Sequence, residues 1–107
     1  MANRLNTNPL YFDQWDANAT LAKAGESFIV KKIRLLTATQ WDVFVLEDIE
    51  GNVLFKMNND IGNARMSEVN FGRKGFDFGN NGVKITVADC TGIDTTDSTE
   101  AVWIYLR

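Results

Sequence analysis

The sequence predicts an all-β fold, an antiparallel β-sandwich, on three observations. Apolar residues recur at every second position along most of the chain, as in Val83, Ile85 and Val87 parted by Lys84 and Thr86. That is the period of a strand, whose successive side chains point to opposite faces. The runs are short and separated by Gly- and Asn-rich turns such as Glu50-Gly51-Asn52, the spacing of a sandwich or small barrel. The 107 residues, 45% hydrophobic and 23% charged, suffice for one core and not for two. A jelly-roll arrangement fits such a strand set, but periodicity alone does not give strand order.

Met1 to Pro9 is too polar to build a core, whereas Leu10, Tyr11, Phe12 and Trp15 bring large side chains close together. Residues 1–12 therefore read as an extended arm that docks on a neighbour, attached to a domain over 13–107. The competing reading is an edge strand of the same domain. Trp15 to Lys23 is the one helical candidate, with Asp13 or Asp16 as its cap, weakened by its Asn and Thr content.

From Ser27 to Leu36 the apolar parity changes, Phe28 and Val30 giving way to Ile33 and Leu35, which predicts a bulge near Lys31-Lys32. Trp41 to Asp48 is apolar on both parities and should be a covered strand. Glu50-Gly51-Asn52 then supplies a tight reversal into Val53, Phe55 and Met57, an antiparallel hairpin. Ser67 to Phe71 and Gly75 to Phe78 are short strand candidates. Val83 to Val87 is a half-buried strand. Ala101 to Arg107, apolar on both parities, should be a central or interface strand, because an apolar ending needs cover.

Composition narrows the chemistry. There is no histidine, the usual proton carrier near neutral pH and a common metal ligand. The single Cys90 has no base of that kind to activate it and reads as a small buried residue. A net charge of -3, with Lys31-Lys32 the longest cationic run outside the Arg73-Lys74 turn, does not suit a phosphate-tracking protein, so nucleic acid is not expected as a partner. No run approaches the roughly 18 apolar residues of a membrane span, and the first residues lack a signal's apolar stretch. The expectation is a soluble protein made in the cytoplasm, with no cofactor and no catalytic activity.

Individual motifs give bland readings. Asn58 to Asn63 lacks the spacing and closing glutamate of a calcium loop. Asp89, Asp94 and Asp97 belong to a polar loop region. Gly72-Arg73-Lys74-Gly75 lacks the glycine spacing of a phosphate loop and reads as a turn. Glu47 and Asp48 are adjacent on a strand and face opposite ways, unlike a glycosidase pair. Trp15, Trp41 and Trp103 with Tyr11 and Tyr105 suit packing or association better than a sugar-stacking platform.

The opening Met1 to Pro9, the Val30-Lys31-Lys32-Ile33 strand, the Glu47 to Leu54 hairpin and the Val102-Trp103-Ile104-Tyr105-Leu106-Arg107 ending resemble small virion proteins of tailed bacteriophages. The resemblance implies a head decoration or cement protein on the capsid surface. Its expected partners are the major capsid protein and sister copies, with a homotrimer as one state. The interface candidates are Leu5, Pro9, Leu10, Tyr11, Phe12, Trp15, Trp103 and Tyr105. The alternative is a carbohydrate-binding or other ligand-binding module of a phage tail or surface protein.

Overall fold

A computed structural model describes residues 7–13, 15, 17–37, 42–58, 65–90 and 100–107. Among the described residues nine strands carry the fold: β1 (Leu10–Phe12), β2 (Ala19–Ala24), β3 (Ile29–Thr37), β4 (Val43–Glu47), β5 (Val53–Asn58), β6 (Arg65–Asn70), β7 (Phe76–Asp77), β8 (Asn81–Ile85) and β9 (Ala101–Leu106). One sheet runs β1-β9-β3-β6, with β7 also pairing β3, and the other runs β2-β8-β4-β5. All pairings are antiparallel. The chain is thus an all-β sandwich of two packed sheets.

The pairing is nested. β4 pairs β5, β3 pairs β6, β2 pairs β8 and β1 pairs β9, so the first four strands meet the later ones in reverse order. The chain behaves as one long hairpin, folded over so that its rungs alternate between the two sheets.

Inward parity builds the core. Leu10 and Phe12 of β1, Val30, Ile33 and Leu35 of β3, Phe44 and Leu46 of β4, Val83 and Ile85 of β8, and Val102 and Ile104 of β9 are all buried. Each such side chain contributes roughly 1.5–3 kcal/mol of apolar burial. Trp15 joins them, edge-on to Phe12 at 4.7 Å and to Phe44 at 6.2 Å between centroids. Its indole N–H donates to the Glu100 carbonyl at 2.7 Å, which satisfies the one polar atom the ring buries. A second aromatic group, Phe55, Phe71 and Phe78, bridges the β5 and β6 sides of the two sheets with centroids 5.4–5.9 Å apart.

The bulge expected at Lys31-Lys32 is present, as a register shift between Val30 and Lys32 against β9. It keeps Val30 and Ile33 on the same buried face despite their odd separation. The hairpin is also present. Gly51 takes φ 88, a region that costs a side chain but not glycine. Asp48 closes the loop by accepting the Glu50 and Asn52 N–H groups at 2.9 Å each.

Two expectations are corrected. Among the described residues of Trp15 to Lys23 there is no helix: β2 begins at Ala19 and pairs β8. Its Ala, Leu and Lys favour helix locally, but pairing and the burial of Ala22 override a preference worth only tenths of a kcal/mol per residue. The Val83 strand starts earlier, at Asn81, and ends at Ile85, with Val87–Asp89 in a 3-10 turn. That turn carries Cys90 to β4, where its thiol meets the Val45 carbonyl at 3.9 Å.

Candidate functional site

The five-stranded sheet buries one face and leaves the other open. On β9, Val102 and Ile104 point inward, so Trp103 and Tyr105 point out, both half-buried. On β1, Leu10 and Phe12 point inward and Tyr11 points out. On β3, the bulge places Lys32 and Arg34 outward, and Glu68 and Asn70 follow on β6. Register then sets these side chains in rows. Tyr11 lies opposite Trp103, Trp103 opposite Arg34, and Arg34 opposite Glu68. Tyr105 lies opposite Lys32, and Lys32 opposite Asn70.

Cross-strand contacts tie the rows together. Tyr11 and Trp103 pack with centroids 5.2 Å apart at 52°. The Lys32 ammonium sits 4.5 Å from the centre of the Tyr105 ring, a cation–π contact. Arg34 Nη1 donates to the Tyr105 hydroxyl at 3.4 Å, and its Nε stands 3.1 Å from Glu68 Oε1. Lys32 Nζ is 3.9 Å from the same carboxylate. The Tyr105 hydrogen bond, with the Glu68 charge adding to it, holds the Arg34 pKa above its ordinary value against the opposing cost of burial. The Tyr11 hydroxyl donates to Asp13 at 2.9 Å. These contacts restrain the long side chains against one another.

Two grooves border the face. Asn8 builds their shared wall, because its side-chain amide donates to the Leu106 carbonyl and accepts the Leu106 N–H, both at 2.9 Å. The amide thereby extends the β1–β9 ladder by one rung. The larger groove, about 500 Å³, is lined by Asn8 and Pro9, Lys31 and Lys32, Asn70, Gly72 and Arg73, and Tyr105 and Leu106. The smaller, about 230 Å³, is lined by Thr7, Asn8, Pro9, Tyr11 and Trp103.

The interface candidates separate into two groups. Pro9, Tyr11, Trp103 and Tyr105 converge on the open face and its grooves. Leu10, Phe12 and Trp15 do not: at 1%, 0% and 1% exposure they belong to the chain's own core. Leu10 to Phe12 is an edge strand paired with β9, and strand alternation turns two of its three side chains into the domain's own core. Leu5 and Trp41 lie outside the described residues, as do Asn59 to Asn63, Asp94 and Asp97.

Other candidates find structural places. Cys90 is buried, and burial pushes its thiol up to about 11, so it carries little thiolate near neutral pH. Gly72 to Gly75 forms a turn closed by the Gly75 N–H on the Gly72 carbonyl at 3.2 Å. Glu47 and Asp48 are both buried, Asp48 turned into its own hairpin loop and Glu47 toward Asp89 and Thr86. Among the described residues no group of three acidic or sulfur side chains stands together to hold a metal ion.

The groove cations were missed by sequence reasoning. Lys31 and Lys32 come from the bulge and Arg73 from a turn about forty residues later, so no local pattern joins them. The odd parity of Tyr11, Trp103 and Tyr105 against buried neighbours was the available signal for the aromatic face. Comparison with protein-family models, curated proteins and solved structures finds no match to the chain.

Proposed function

We propose that the chain is a non-enzymatic decoration or cement protein of a phage head, which binds the assembled shell through the open face of its five-stranded sheet. The observation that carries this reading is the row of half-exposed Tyr11 and Trp103 beside Tyr105 and Arg34. Tyr, Trp and Arg are the residue types that dominate binding energy at protein interfaces. Here they are held in place by mutual contacts before any partner arrives. The nested strand order supports a jelly-roll description of the sandwich.

Size shapes the mode of action. Four strands of about six residues present on the order of 400 Å², about half of the ~800 Å² per partner in a standard interface. One domain therefore binds modestly through this face alone. Many symmetric copies, or sister copies associated in a trimer, multiply that contact into avidity and stabilise the assembled shell by binding linkage.

Co-sedimentation with purified empty shells tests the proposal. Wild-type protein should pellet with shells, and Trp103→Ala should reduce its apparent affinity at least tenfold while remaining folded by circular dichroism. Absence of wild-type protein from the pellet would refute the assignment. A second reading, a carbohydrate-binding module, is favoured by the smaller groove, where Tyr11 and Trp103 stand beside Asn8 and Thr7. Aromatic rings at the wall of a groove suit a sugar, and glycan binding that Trp103→Ala abolishes would favour that reading over the shell.

A further inference from the structure

The larger groove has a one-sided chemistry. Its charged side chains are Lys31, Lys32 and Arg73, with no carboxylate among the lining residues, although the whole chain carries a net charge of -3. Among the described residues, no carboxylate is paired with Lys31 or Arg73. Asn70 adds to the same sense: its Oδ1 is taken by the Gly72 N–H at 2.8 Å, which leaves the amide NH2 for the groove. Asn8 is satisfied by Leu106 on both its amide atoms. Lys31 and Arg73 are thus the cations left to meet a ligand, beside Lys32, which Glu68 and the Tyr105 ring already share.

Two backbone features hold these donors together. The bulge between Val30 and Lys32 places Lys31 and Lys32 beside each other at the groove. Gly72, at φ 89, and Gly75, at φ 77, turn the chain sharply enough to bring Arg73 back beside them. The larger groove also lies next to the smaller one, with Asn8 and Pro9 standing between them and lining both. An extended segment crossing Asn8 and Pro9 would make a track from the cations, past Tyr105 and Leu106, to Tyr11 and Trp103.

We propose that this track is the seat of an extended acidic peptide segment of the partner protein, with its carboxylates at Lys31, Lys32 and Arg73 and a following apolar or aromatic side chain against Pro9, Tyr11 and Trp103. Charge complementarity selects the occupant, since a groove lined by cations and by no carboxylate accepts an anion, and an arginine fork matches a carboxylate in two hydrogen bonds. The inference rests on the docking reading for the source of the segment, but the acid-binding groove is testable without a shell.

The test is an amide-resolved NMR titration of the full chain with a hexaglutamate peptide ending in tryptophan, with its hexaglutamine counterpart, and with glucose 6-phosphate. The glutamate peptide should shift residues 31–32, 70–73 and 103–106, and the glutamine peptide should not. Lys31→Glu with Arg73→Glu should weaken binding at least tenfold, and added salt should weaken it further. Both substituted positions are exposed, so the fold should persist, and unchanged shifts at the core amides of Ile33 and Ile104 check that. Equal binding of the two peptides, shifts spread evenly over Lys23, Lys56 and Lys84, or binding of the phosphorylated sugar alone would overturn the proposal. Peptide binding without shell binding would refute the capsid assignment and leave the acid-binding groove standing.

Discussion

Glu47 and Asp48 are neighbours with opposite acid–base behaviour, and the difference is set by what each side chain meets. Glu47 is held above its ordinary value of 4.5 by burial and by a hydrogen bond shared with Asp89, against a smaller opposing effect of Thr86. Burial would also raise Asp48, but hydrogen bonds from the side chains of Asn52 and Asn81 and the N–H groups of Asn52 and Glu50 outweigh it and hold the carboxyl below 3.8. The consequences for stability have opposite signs. Glu47 keeps its proton in the folded state where the unfolded chain has lost it, so stability falls as pH rises from 4.5 through the folded value. Asp48 contributes stability that is fully present above 3.8 and lost as pH falls through its lower folded value. Glu47→Gln should therefore flatten the decline on the alkaline side, and Asp48→Asn should flatten the acid limb, both read as Tm between about pH 2 and 8. Cys90 gives a simpler expectation: native protein should not react with a thiol reagent near neutral pH, and denatured protein should react fully.

At the scale of elements, β1 shows most clearly what a sequence can and cannot reveal. The cluster of Leu10, Tyr11, Phe12 and Trp15 was legible as important, and its alternation was legible as strand. Which face would meet the domain's own core was not, because that depends on pairing with β9 at the far end of the chain. Removing residues 1–12 should therefore unfold the domain, since it deletes Leu10 and Phe12. Phe12→Ala alone should cost about 3–5 kcal/mol, measurable by denaturant melting. Tyr11→Ala, on the other parity of the same strand, should cost far less. β2 was hidden for a related reason: the Ala-Thr-Leu-Ala-Lys-Ala run has no strong alternation, and its pairing with β8 decides its form. The β4–β5 hairpin and the bulge of β3 were legible, because Gly51 and the parity change around Lys31-Lys32 are local signals. So was the central position of β9, whose two apolar parities match its place between β1 and β3.

At the scale of the molecule, one face of one sheet gathers the outward aromatic and basic side chains of the proposed interface, while the Asp48 carboxylate, the Cys90 thiol and the indole of Trp15 serve the fold. That division follows from nesting. Each early strand pairs with a late one, so β1 and β9 bring Tyr11, Trp103 and Tyr105 side by side from nearly opposite ends of the chain. Half of this site was legible as aromatic residues at strand parity, and the other half, the cationic groove, required the third dimension. The account stands on binding through that face, and the most direct measurement is the affinity of the Tyr11→Ala, Trp103→Ala double variant for purified empty shells beside wild type. The expected result is a folded variant that no longer sediments with shells that wild type saturates. Equal sedimentation of variant and wild type would contradict it.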